Sequence, residues 1–73
     1  MVTIYSKPGC HLCDRAKEVV ARCRTEFEVV DITGNEELEA RYGHDIPVIL
    51  LDGEEIARHV IRERKLLELL HKT

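Results

Sequence analysis

Tyr5-Ser6-Lys7-Pro8-Gly9-Cys10-His11-Leu12-Cys13 is the stretch that decides the fold. Before it, the alternation and β-branched residues of Val2-Thr3-Ile4-Tyr5 predict a strand, which ends at the turn Ser6-Lys7-Pro8-Gly9. A helix is predicted from residue 10 or 11 to residue 24, because apolar residues recur on one helical face. Those residues are Leu12, Ala16, Val19, Val20 and Cys23. Both cysteines of the motif therefore lie where a strand turns into a helix.

The rest of the chain alternates between strand patterns and helix patterns. Strand patterns cover residues 26–32, 48–51 and 54–60, and helix patterns cover residues 36–42 and 62–71. Asp52-Gly53 is a strong hairpin signal between the last two strands. Asn35 is the predicted N-cap of the second helix, and Gly43 ends it. The order β-α-β-α-β-β-α predicts an α/β fold, with a four-stranded mixed sheet flanked by helices.

Length and charge narrow the class of protein. A chain of 73 residues is predicted to form a single domain over residues 1–73. Its net charge of −3 argues against a sequence-independent nucleic-acid binder, which is normally basic. The apolar start is too short for a signal peptide, and no stretch reaches transmembrane length. We expect a cytoplasmic protein that acts as a monomer and contacts neither nucleic acid nor membrane.

Cys10 and Cys13 carry the chemistry that the sequence predicts. In a reducing compartment a Cys-x-x-Cys pair is more often redox-active or metal-binding than structural. Residues three apart share one helical face, about 5–6 Å apart at Cβ, and a modest adjustment brings them to disulfide range. The helix N-terminus and the charge of Lys7 favour a thiolate at Cys10. We predict Cys10 as the exposed nucleophile and Cys13 as the partly covered resolving thiol.

The other cysteine and several histidines have simpler interpretations. Cys23 lies on the apolar helix face, where free cysteine usually packs in the core. It is about 15 Å from Cys13 along the helix axis, too far to share a zinc ion or to resolve a disulfide. For His11, inside the motif, a role in tuning Cys10 and no role stay equally open. His44 and His59 are interpreted as ordinary surface residues.

With this order of elements, the chain resembles the glutaredoxin branch of the thioredoxin superfamily over nearly its whole length. The resemblance rests on residues 5–13, Ile46-Pro47-Val48, Asp52-Gly53 and the leucine-rich last helix. It implies a minimal thioredoxin/glutaredoxin fold. It also implies a cis Pro47 that faces the cysteine pair, and backbone hydrogen bonds from Ile46 to the substrate. Lys7 matches the basic residue that is directed toward the carboxylate of glutathione.

Two segments depart from the glutaredoxin pattern. His11-Leu12 stand between the cysteines, where Pro-Tyr is typical, and both are counted among the substrate-binding residues. Ala57-Arg58-His59-Val60 follow Ile56, where glutaredoxins carry two glycines that bind the γ-glutamyl end of glutathione. Because these residues are bulky, we expect the strand to continue through them. Arg58 is then either a ligand for a substrate carboxylate or a solvated arginine at the sheet edge.

Three functions are compatible with these residues. The first is a thiol–disulfide oxidoreductase that reduces protein disulfides or glutathione mixed disulfides, with no bound cofactor and no metal. Its electron donor is either glutathione or a thioredoxin-type reductase. The second is an iron–sulfur or metal carrier that uses Cys10, and the third is a redox-sensing adaptor for one partner protein. The position of the cysteine pair between a strand and a helix favours the first.

Overall fold

The structure is a computed structural model that describes residues 1–71. Within them the elements follow the predicted order β-α-β-α-β-β-α. They are β1 (Val2–Ser6), α1 (His11–Arg22), β2 (Phe27–Asp31), α2 (Glu36–Tyr42), β3 (Val48–Leu51), β4 (Glu54–Arg58) and α3 (Glu63–His71). In this part of the chain no helix has the length and apolar character needed to cross a membrane.

The strands form one mixed sheet in the order β2-β1-β3-β4, which confirms the predicted α/β fold. β1 and β2 pair in parallel, and a parallel pair needs a crossover, which α1 supplies. β3 runs antiparallel to both β1 and β4. Tyr5, near the end of β1, lies opposite Val48, at the start of β3. The segment after β1 and the segment before β3 therefore meet at one end of the sheet, which we call the cysteine end.

The core lies on the face of the sheet that α1 and α3 cover. Alternate residues of β1 face it, and Val2 and Ile4 are fully buried there. The cluster is completed by Ala16, Val20, Ile49, Ile61 and Leu66. On the opposite face, the ring of Tyr42 from α2 lies 5.2 Å from the ring of Tyr5. Because the sequence has few aromatic residues, β-branched and leucine side chains supply the buried volume.

Four elements, including β4 described below, are shorter than their sequence patterns predict, whereas β1 extends one residue further, to Ser6. α1 ends at Arg22 instead of residue 24, β2 lacks residues 26 and 32, and α3 begins at Glu63 instead of residue 62. After α1, the amides of Cys23 and Arg24 donate to carbonyls three residues back, each at 3.1 Å, which tightens the last turn. Arg24 then takes a left-handed φ of 54°, which ends the helix. Periodicity misses this end because Cys23 still faces the core.

The last hairpin confirms one prediction and corrects another. Asp52 and Gly53 take φ angles of 51° and 85°, the two left-handed residues that a type I′ turn requires. β4, however, ends at Arg58, so the expectation that the strand continues through Val60 is wrong. His59 adopts a left-handed φ of 67°, which turns the chain out of the strand. Its amide nevertheless donates to the carbonyl of Pro47 at 2.8 Å.

Candidate active site

Cys10 and Cys13 are brought together at the first turn of α1. Cys10 is the N-cap of this helix, and its sulfur accepts a hydrogen bond from the amide of Cys13 at 3.1 Å. The two Cα atoms are 5.2 Å apart, and the sulfurs lie at disulfide distance. Cys13 is 1% exposed, whereas Cys10 is partly exposed. The expected difference in exposure between the two cysteines is confirmed.

The turn before α1 presents Cys10 at the surface. β1 ends at Ser6, which is buried, and the chain then passes through the exposed residues Pro8 and Gly9. Gly9 has a φ of 78°, a left-handed conformation that would strain a residue with a side chain. The Pro-Gly pair that the sequence marks as a turn is therefore what leads the chain from the buried strand to the exposed cysteine.

The helix start gives Cys10 the electrostatic surroundings of a nucleophile. The first amides of a helix have no partner within the helix, and here the Cys10 sulfur accepts from one of them, as a serine or aspartate N-cap oxygen does elsewhere. Such a hydrogen bond and the positive end of the helix dipole both stabilise a thiolate more than a thiol. His11 and Leu12, between the cysteines, are both exposed, and Leu12 is 45% exposed.

Pro47 lies at the cysteine end of the sheet. The Ile46–Pro47 peptide bond is cis, as the glutaredoxin resemblance implies. Pro47 is buried and Ile46 is half-buried, directly before β3. Because Val48 pairs with Tyr5, this segment and the turn that carries Cys10 flank the same end of the sheet. That Ile46 offers its backbone to a substrate stays a prediction.

Lys7 is engaged by a carboxylate of its own chain. Its Nζ lies 2.8 Å from Oε1 of Glu39 on α2. This hydrogen bond and the charge of Lys7 lower the pKa of Glu39. The pKa of Asp31 is lowered too, chiefly by its hydrogen bond with Thr33 and to a smaller extent by the charge of Lys7. The predicted role of Lys7 toward glutathione stays a prediction, and an incoming carboxylate would compete with Glu39.

Arg58 is exposed at the sheet edge, and carboxylates of the same chain already bind its guanidinium. Its guanidinium donates to Asp45 at 2.7 Å and to Glu55 at 2.9 Å, and it lies 5.8 Å from the centre of the Tyr42 ring. The hydrogen bond with Glu55 raises the pKa of Arg58 and lowers the pKa of Glu55. Both carboxylates belong to the chain itself, so binding of a substrate carboxylate by Arg58 would require exchange of partners.

Two acidic residues near the site were not expected from the sequence. Glu39 lies within the predicted helix of residues 36–42, and Asp45 belongs to no predicted element. In the structure Asp45 pairs with Arg58, and its second oxygen lies 3.5 Å from Nε2 of His59. Asp45 directly precedes Ile46, so these contacts tie the segment before Pro47 to the end of β4. Sequence spacing carries no signal for either pair, because the partners come from different elements.

Cys23 is separate from the cysteine pair. It packs against the core cluster at the end of α1, and its sulfur lies 4.0 Å from the carbonyl of Glu63. Burial, followed by the charge of Glu63, raises the pKa of its thiol. A raised pKa disfavours the reactive thiolate, in line with the predicted packing role. Within residues 1–71 no group of three or more histidine, cysteine, aspartate or glutamate side chains is arranged to hold a metal ion.

The Lys7–Glu39 pair predicts a dependence of stability on pH. The pKa of Glu39 is lower in the folded chain than its ordinary value of 4.5, so the stability from the pair is present above that pH. It is lost as the pH falls through the folded pKa. In Glu39→Gln we expect the unfolding free energy to fall less steeply as the pH drops below about 4.5. The difference from the wild-type chain should be small, because the pair is partly exposed. Urea unfolding measured across this pH range tests the expectation.

A matched control is Glu36→Gln, which removes a carboxylate from the first turn of the same helix, where Glu36 is exposed. This variant should keep the pH profile of the wild-type chain more closely than Glu39→Gln does. If both variants gave the same profile, the Lys7–Glu39 pair would contribute no stability of its own.

Comparison with known proteins gives matches over almost the whole chain. The model of the family described as Glutaredoxin-like domain (DUF836) matches residues 1–71. The gene 56 protein of Mycobacterium phage L5 is 32% identical over 56 residues, covering 70% of this chain and 54% of the phage protein. This chain therefore spans about half the length of that relative. The glutaredoxin-like protein YDR286C homolog of Dictyostelium discoideum is 31% identical over 75 residues, covering 89% of this chain and 69% of its own.

A solved structure extends the similarity to three dimensions. The X-ray structure of the structural-genomics target protein XcR50 from X. campestris has a TM-score of 0.87 to this chain at 32% sequence identity. The match covers 100% of this chain and 99% of that protein. The two proteins thus share the same overall fold along nearly their whole lengths.

Proposed function

The chain belongs to the family of glutaredoxin-like domains, and from that premise we propose that it is a thiol–disulfide oxidoreductase with Cys10 and Cys13 as its redox-active pair. One observation carries the proposal. The partly exposed sulfur of Cys10 accepts an amide hydrogen bond at the start of α1, and the buried sulfur of Cys13 lies at disulfide distance from it. This arrangement combines an accessible thiolate position with a second sulfur that solvent and substrate do not reach.

The proposed reaction has two exchange steps. The Cys10 thiolate attacks one sulfur of a substrate disulfide, a bond forms between Cys10 and that sulfur, and the other substrate sulfur leaves as a thiolate. Cys13, deprotonated, then attacks the Cys10 sulfur, so that a Cys10–Cys13 disulfide forms and the substrate sulfur bonded to Cys10 leaves as a thiolate. The protein dithiol is oxidised to a disulfide and the substrate disulfide is reduced to two thiols. Two electrons pass to the substrate, and the protons of the protein thiols end on the substrate thiols through solvent.

The proposed substrates are protein disulfides and glutathione mixed disulfides. Family membership and the cis Ile46–Pro47 segment at the cysteine end of the sheet support this class of substrate. Glutathione or a thioredoxin-type reductase is proposed as the electron donor. The engagement of Lys7 by Glu39 disfavours tight glutathione binding through Lys7, because the tripeptide must displace a carboxylate already in place. A cytoplasmic location fits this role, since reductants there keep dithiols reduced.

A side-by-side reduction assay tests the proposal. The reduced protein is supplied with a small disulfide substrate and coupled in one arm to glutathione and glutathione reductase, and in the other to a thioredoxin reductase. Consumption of NADPH measures turnover. We expect turnover in at least one arm, and the faster arm identifies the donor. An absence of turnover in both arms, together with an unshifted pKa of the Cys10 thiol, would contradict the proposed function.

A further inference from the structure

A groove of about 490 Å³ begins beside the cysteine pair and runs along α1. One wall is formed by one side of α1, and the other by the segment that follows β4. Its lining includes Leu12, Arg15, Val19, Arg22, Val60 and Ile61, and we call it the α1 groove. Leu12 lies between the two cysteines, so the groove opens directly at the proposed site of exchange. From Leu12 to Arg22 it extends about 15 Å, a length that four or five extended residues would span.

Apolar side chains line much of the α1 groove, and two of them are exposed. Leu12 is 45% exposed and Val60 is 61% exposed, although both are large apolar side chains. Val19 is half-buried, and Ala16 and Ile61, which also line the groove, are buried. Exposed apolar residues that meet at a polar rim mark surfaces that a partner covers. The turn at His59 is what brings Val60 to this groove instead of leaving it in β4.

Two arginines line the α1 groove, Arg15 one helical turn from Leu12 and Arg22 at the far end, against the negative overall charge of the protein. Arg15 and Arg22 lie two helical turns apart and so share one face of α1. Within the described residues the Arg15 side chain has no ion-pair partner, and Arg22 lies 3.7 Å from Glu63 in an exposed pair. Glu18 also lines the groove and offsets part of this charge. On a chain of net charge −3, this positive face favours an acidic partner.

We propose that the α1 groove binds an extended segment of a disulfide-containing substrate protein. An apolar residue beside the reacting substrate cysteine contacts Leu12 and Val60, and acidic residues that follow it contact Arg15 and then Arg22. This inference rests on the proposed function and adds to it a preference among substrates. The apolar contacts orient the segment, and the arginines select its charge and raise the rate of encounter.

The experiment measures single exchange events with six peptides, which have three compositions in two chain directions. Each carries one cysteine as a mixed disulfide with nitrothiobenzoate, a neighbouring leucine, and two glutamates, two glutamines or two lysines beyond it. Attack by Cys10 releases the coloured thiolate and leaves the peptide on Cys10, and Cys13 then releases the peptide thiol. For the pre-reduced wild-type protein we expect the glutamate peptide to react about fivefold faster than the lysine peptide at low salt.

Charge reversal in the α1 groove provides the decisive comparison. In Arg15→Glu the ratio of glutamate-peptide to lysine-peptide rates should fall to about one or below, because the change places a carboxylate where an acidic residue is proposed to lie. Arg64→Glu is the control. It makes the same change in net charge on the exposed surface of α3, outside the groove, and should keep the wild-type ratio. Equal ratios in the two variants would overturn the inference.

A second variant tests the apolar contacts of the groove independently of charge. Val60→Ser should reduce about threefold the preference for the leucine peptide over a peptide with serine in that place. An unchanged preference would overturn the apolar contact. Reduction of hydroxyethyl disulfide, a small neutral substrate, distinguishes a failure of the proposed function from a failure of the α1 groove inference alone. If the wild-type protein reduces neither this substrate nor any peptide, the proposed function fails. If it reduces all of them without discrimination, only the α1 groove inference fails.

Discussion

Cys10→Ser is expected to lower the rate of disulfide exchange by a factor on the order of 10³ or more, to the level of the uncatalysed reaction. The serine hydroxyl keeps the N-cap hydrogen bond of Cys10, so the helix start is preserved. It is not ionised near neutral pH and cannot form a disulfide with the substrate, so the first exchange step is lost. Release of nitrothiobenzoate from a small mixed disulfide measures this rate directly.

Cys13→Ser should separate the two steps of the proposed reaction. Cys10 remains able to attack, but the mixed disulfide then accumulates because no second sulfur is in place to resolve it. Mass spectrometry after brief reaction should show one substrate adduct, located on Cys10. Cys23→Ser is the matched control, since this third cysteine packs against the core away from the pair, and it should retain both steps. Full activity of Cys10→Ser would contradict the assignment of Cys10 as the nucleophile.

Leu66→Ala is expected to destabilise the fold by about 2–5 kcal/mol. Leu66 is completely buried, and it belongs to the core cluster in which α3 packs against α1 and the sheet. Removing most of its side chain leaves a cavity that this small core has little material to fill. A domain of this length has about 4–11 kcal/mol of unfolding free energy in total. The variant should therefore be close to unfolding, which urea titration followed by circular dichroism would show.

The neighbouring residue gives the control for this prediction. Leu67 is on the same helix but is 36% exposed, so Leu67→Ala changes helix propensity equally while removing much less buried apolar area. Its loss of unfolding free energy should be below about 1 kcal/mol. Equal losses for the two variants would contradict the assignment of Leu66 to the core and of Leu67 to the surface.

The order of elements could be predicted because local patterns determine it. Alternation in β1 and the apolar run of β3 fit strands buried on one or both faces, and Asp52-Gly53 fits a type I′ turn because aspartate and glycine tolerate left-handed φ angles. The ends of the elements were harder to predict from the sequence. α1 ends at Arg22 and β4 at Arg58, and each is followed within two residues by a non-glycine residue in a left-handed conformation, Arg24 and His59. No turn residue such as glycine or asparagine marks either position in the sequence.

The sequence by itself determined the position of the cysteine pair and the difference between its two thiols. A strand, a Pro-Gly turn and a helix start fix the first sulfur at the N-cap and the second one turn inside, because helical geometry allows nothing else. Tertiary structure alone decided what surrounds the pair. The Lys7–Glu39 contact, the Arg58–Asp45 contact and the approach of Val60 to α1 each join segments distant along the chain. Such contacts depend on how the elements pack, and local sequence patterns do not encode that packing.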